Sequence, residues 1–79
     1  MKIKSIKANQ TQVEFNDGTI VFVSYETPVA AFIPRQGIIR TCKQWSQTTT
    51  KHINQWIRDN FSDKVTVKKE LQSILDGLL

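Results

Sequence analysis

Apolar and polar residues alternate through the first half of the chain and then change to a helical rhythm. Residues 2–7 and 11–16 read as strands separated by Asn9-Gln10. In the second, Val13 and Phe15 alternate with Gln12, Glu14 and Asn16, the period of two that buries one face. Asn16-Asp17-Gly18-Thr19 reads as a hairpin turn, because glycine supplies the positive φ that such a connection needs. Ile20-Val21-Phe22-Val23-Ser24-Tyr25 is apolar on both faces in its first part, which marks a central strand. Thr27-Pro28 interrupts the pattern, since proline lacks a ladder donor and restricts the residue before it. Residues 29–33 resume as a strand, Pro34-Arg35-Gln36-Gly37 turns again, and residues 38–42 form a short last strand. Connections this short leave no room for crossover helices, so the pattern predicts an antiparallel meander of four or five strands.

The remainder reads as two helices, about 46–60 and about 66–78. A wheel over the first gathers Thr49, Ile53, Trp56, Ile57 and Asn60 on one side, with Lys51, Gln55 and Arg58 opposite, so this helix is expected to lie across the sheet. In the second, capped by Thr66, the residues Val67, Leu71, Ile74, Leu75 and Leu78 recur at helical spacing. That stripe is either the inner face of a docked helix or, with Trp45, a surface for a partner or a second copy of the chain, carried by Leu71, Leu75 and Leu78. The prediction is one α+β domain over residues 1–79, its strands within about 2–42.

Size and composition narrow the chemistry. A chain of 79 residues makes a deep substrate cavity improbable. Cys42 is the sole cysteine, so no intrachain disulfide forms and no cysteine cluster holds zinc; a reducing, cytoplasmic setting fits. Lys2, Lys4 and Lys7 stand where a signal peptide would be apolar, and no run reaches membrane-spanning length. On an edge strand those lysines would oppose edge-to-edge association.

The net charge of +4 is unevenly placed. Residues 1–26 balance three lysines against three acids, and residues 59–79 set three lysines against four acids. Residues 27–58 hold Arg35, Arg40, Lys43, Lys51 and Arg58 with no acid. This basic segment contains Trp45-Ser46-Gln47-Thr48-Thr49-Thr50-Lys51-His52-Ile53-Asn54, where Ser46 is a good N-cap. Free N–H groups at a helix start, the hydroxyls of Ser46, Thr48, Thr49 and Thr50, and the cations Arg40, Lys43, Lys51 and Arg58 together suit a phosphate. The alternative is a polar cap that only orients the helix. His52 is either a further phosphate ligand or a structural residue, stacked on Trp56 and bonded to a threonine or a backbone carbonyl. Trp45, Trp56, Tyr25 and the phenylalanines could stack bases if exposed beside Arg40, Lys43 or Lys51; otherwise they are core.

Residues 20–57, through Ser24-Tyr25-Glu26-Thr27-Pro28-Val29-Ala30, Arg40-Thr41 and the run from Trp45 to Trp56, resemble an uncharacterised family of small proteins of bacteriophages and other mobile elements. The most specific shared positions are Ser46, Thr48, Thr49, Thr50, Lys51, His52, Ile53 and Asn54. The resemblance implies a genomic setting and carries no activity.

No enzymatic activity, metal or cofactor is expected. Cys42 and His52 form the sole nucleophilic pair and lack a recognisable orienting third member or oxyanion loop, and carboxylates do not cluster. The expected function is nucleic-acid binding, directed mostly at the phosphate backbone and sensitive to salt, since no helix-turn-helix, zinc-finger or aromatic RNA-binding signature is present. The alternatives are an inhibitor or adaptor that docks on a host protein, for example against host defence, and a structural homo-oligomer.

Overall fold

The computed structural model describes residues 1–62 and 64–79. Six strands form one sheet in chain order: β1 (Lys2–Lys7), β2 (Gln10–Glu14), β3 (Ile20–Ser24), β4 (Thr27–Ile33), β5 (Gly37–Thr41) and β6 (Val67–Glu70). Helix α1 (Gln47–Asn60) lies between β5 and β6 in sequence, and the short α2 (Gln72–Asp76) follows β6. The first five strands pair as an antiparallel meander, and α1 packs on the sheet, as the sequence pattern requires.

Local chemistry explains the connections. At the β2–β3 turn, Asp17 Oδ1 accepts the Thr19 N–H at 2.9 Å, which lowers the Asp17 carboxyl pKa below its ordinary 3.8. Gly18 at φ 95° takes a conformation that a side chain resists, and an added Cβ there would also meet Pro34 Cγ at 3.0 Å. Pro28 does not interrupt the sheet. Between the pairs Phe22–Ala30 and Val23–Pro28 the register slips, leaving Val29 as the extra residue of a bulge, where a missing ladder bond is tolerated.

The helix expected over 66–78 is corrected. Val67–Glu70 is a strand, parallel to β5, with Arg40 opposite Lys69 and Ile39 opposite Lys68. A parallel partner needs a long crossover, and α1 provides it. Val65-Thr66-Val67 is β-branched throughout and favours a strand, whose pairing satisfies backbone groups that β5 would otherwise leave open. Thr66 therefore caps no helix; Leu71 is the N-cap of α2 and has no side-chain cap bond.

Both faces of the sheet are covered in part. On one, Phe22, Val29, Ala30 and Ile38 pack against Ile53, Trp56 and Ile57 of α1. Phe22 and Trp56 stack at 5.2 Å between ring centroids, and Trp56 Nε1 donates to Gln12 Oε1 at 2.9 Å. On the other, Val13, Val21, Val23, Ala31 and Ile39 enclose Leu75 of α2. The three leucines expected to share one surface thus part company: Leu75 is fully buried, Leu78 packs partly against the same core, and Leu71 is exposed. Strand β1 is an edge, and its lysines are exposed.

Candidate functional site

Helix α1 starts as the sequence indicates. Ser46 has extended backbone, its Oγ accepts the Thr49 N–H at 3.2 Å, and the Thr50 N–H and hydroxyl both donate to the Ser46 carbonyl. Thr49 is buried beneath the cap, with its hydroxyl oxygen 3.3 Å from Ser46 Oγ and 3.5 Å from Ser24 Oγ. Ser46, Thr49 and Thr50 are thus engaged in the helix start itself, whereas Thr48 is exposed.

His52 turns toward β3. Its Nδ1 lies 2.9 Å from Ser24 Oγ, and its ring is tilted against that of Tyr25 at 5.9 Å. The expected stacking on Trp56 is replaced by Tyr25, and the expected threonine or carbonyl partner by Ser24, because the β3–β4 turn reaches this flank of α1. Trp56, one turn on, faces the core. Cys42 is exposed and lines the opposite flank with Lys43 and Thr50, so the only nucleophilic pair is divided across the helix. Among the described residues no three His, Cys, Asp or Glu side chains group as metal ligands, and no helix is long and apolar enough to cross a membrane.

The cations converge on the other side of α1. A shallow seam runs between the helix and the β5–β6 edge. One stretch is lined by Arg40, Lys43, Thr50, Asn54 and Lys69, and the next by Arg40, Asn54, Arg58 and Ser62. At the helix start, Lys51 joins Trp45, Gln47 and Thr50 around a further hollow that continues the first. Arg40, Lys43, Lys51 and Arg58 therefore border one strip, and Lys69 adds a fifth cation. The described lining residues include no Asp or Glu. Arg40 is fixed by a 2.8 Å bond from Nη1 to Asn54 Oδ1; burial lowers its pKa from the ordinary guanidinium value, yet the group stays charged at neutral pH.

Lys69 was missed because a helical reading of 66–78 gives it no relation to Arg40. The β-branched run before it was the available signal. Lys68, its neighbour, points to the other face, where it meets Glu70 at 3.1 Å. Arg35 lies apart, at the β4–β5 turn with φ 72°.

Trp45 stands at the end of the seam nearest the start of α1. Its Nε1 donates to Gln72 Oε1 at 3.1 Å, and Lys43 Nζ lies 4.2 Å from its ring centroid. Gln72 is anchored in turn by its amide, which donates to the Pro28 carbonyl at 2.6 Å and to Asp76 Oδ1 at 3.0 Å. This link from α2 to the seam was also invisible in the sequence.

Comparison with known proteins gives one family. The model described as "Family of unknown function (DUF8033)" matches residues 1–73, a span that takes in the whole sheet, α1 and the seam. No curated protein and no solved structure matches the chain.

Proposed function

Because the chain belongs to this family of unknown function, we propose its role from its own residues: a small non-enzymatic protein that binds nucleic-acid phosphates along the basic seam at the start and side of α1. The observation that carries the reading is the convergence of Arg40, Lys43, Lys51, Arg58 and Lys69 on one strip whose described lining holds no carboxylate. A mixed solubilising surface intersperses both signs of charge, whereas a one-sign strip concentrates field and attracts a polyanion. Phosphate contacts of this kind orient the ligand without reading its sequence. The setting we propose, from the resemblance over residues 20–57, is a phage or other mobile element, in the cytoplasm of its host.

The test uses two adjacent lysines on opposite faces. Lys69→Glu is expected to weaken binding to every nucleic acid by about tenfold, as loss of a charge-assisted contact implies. Lys68→Glu, which breaks an exposed ion pair of little energetic weight, is expected to leave binding nearly unchanged. Fluorescence anisotropy with labelled DNA and RNA reads both variants, and equal effects would contradict the seam as the binding surface.

A second reading, docking on a host protein or on another copy of the chain, is favoured by one feature. Leu71 is 63% and Ile74 47% exposed, two large apolar side chains three residues apart at α2 that a partner would cover.

A further inference from the structure

We propose that the ligand of the seam is single-stranded nucleic acid and that Trp45 is a platform on which a base stacks; this deepens the phosphate-binding reading above and rests on it. Of the seven aromatic residues, only Tyr25 and Trp45 are exposed, at 51% and 37%. The other five are buried or partly buried, and Phe22, Phe32, Trp56 and Phe61 pack in the layer beneath α1. Both exposed rings lie around the first turns of α1: Tyr25 against His52, and Trp45 beside Thr50 and Lys51.

Trp45 has the features of a preorganised platform. Gln72 holds the indole by its edge and is itself held by Pro28 and Asp76, so the ring is fixed by a chain of hydrogen bonds while part of its surface stays open. Lys43 Nζ lies over one face of the ring, so the base stacks on the other, and with Lys51 in the same hollow as the indole it puts positive charge where the phosphates flanking that base would run. A duplex keeps its base faces stacked inside and offers an exposed indole nothing to stack on, whereas a single strand offers every base face. Along α1, Thr50 to Arg58 spans about 12 Å. That length accommodates a short run of nucleotides.

The experiment measures binding of labelled oligothymidylate and of a duplex of equal length to the full chain and to Trp45→Ala and Trp45→Phe. The strand is expected to bind more tightly than the duplex and to quench part of the tryptophan emission, with the quench absent in Trp45→Phe. Trp45→Ala is expected to lose about tenfold for the strand with duplex binding unchanged, and Trp45→Phe to stay within about threefold of the parent for the strand. Circular dichroism of Trp45→Ala, compared with the parent, establishes that the variant is folded. If strand and duplex bind equally, with no quench and no selective loss in Trp45→Ala, stacking is overturned while phosphate binding stands. If the folded parent protein binds neither, both readings fail together.

Discussion

Replacing Trp56 by alanine is expected to bring the protein close to unfolding at room temperature. The side chain is only 2% exposed, stacks on Phe22 and meets Phe61 edge-on at 5.5 Å, so it joins the helix to the sheet at the centre of one core. Truncating a buried tryptophan costs about 3–5 kcal/mol. A chain of this length has roughly 4–12 kcal/mol of total stability. The same change strips the donor from Gln12 Oε1, a buried acceptor in a residue 8% exposed. Trp56→Phe separates the two contributions: it keeps an aromatic ring against Phe22 and loses the hydrogen bond, for an expected cost of about 1–3 kcal/mol. Urea unfolding followed by circular dichroism measures both. A loss below about 1 kcal/mol for Trp56→Ala would contradict the packing of α1 on the sheet.

Leu71 and Leu75 are expected to respond in opposite ways, although a helical stripe would make them equivalent. Leu75 is fully buried among Val21, Val23, Ala31 and Ile39, so Leu75→Ala is expected to cost about 2–5 kcal/mol. Leu71 is 63% exposed and occupies the N-cap of α2 without a capping bond. Leu71→Asp exposes no core and supplies a side-chain acceptor for the free first-turn N–H groups. It is expected to be neutral or to add up to about 1 kcal/mol. Thermal unfolding of the two variants decides the matter, and a similar loss in both would restore the single amphipathic helix. Leu71→Asp also gives a folded variant in which to test docking through the exposed face beside α2.

Period-two alternation, the Asp17-Gly18 turn and the Ser46 cap made β1 to β5 and α1 legible, because each is a signal written within a few neighbouring residues. The tail was misread for a physical reason. Val67, Leu71, Ile74, Leu75 and Leu78 match a helical period, yet what decides the state of Val67–Glu70 is the open edge of β5, which no local window contains. Four of the five seam cations were visible as an acid-free stretch of sequence. Lys69 was not, because its place beside Arg40 depends on the same parallel pairing. His52 was legible as a residue with either a structural or a phosphate-binding place on α1. Its partners Ser24 and Tyr25 come from a hairpin turn far away in the chain, where Tyr25 takes φ 58°, an uncommon conformation for so bulky a residue. The cap hydroxyls read as an anion cradle are spent largely on the helix itself. The charge on which the proposed phosphate binding rests lies instead along the side of α1, where the β5–β6 pairing adds Lys69 to the four cations of the acid-free stretch.

The most direct test of the account is the salt dependence of binding to a labelled single strand, measured for the parent chain, for Lys69→Gln and for Arg58→Gln. Each phosphate contact contributes about −0.7 to the slope of log affinity against log salt. Four or five contacts along the seam predict a slope near −3 for the parent, and each neutralised cation is expected to flatten it by about 0.7 while lowering affinity at low salt. A folded protein that does not bind, or a slope and affinity left unchanged by both substitutions, would contradict the seam as a nucleic-acid surface.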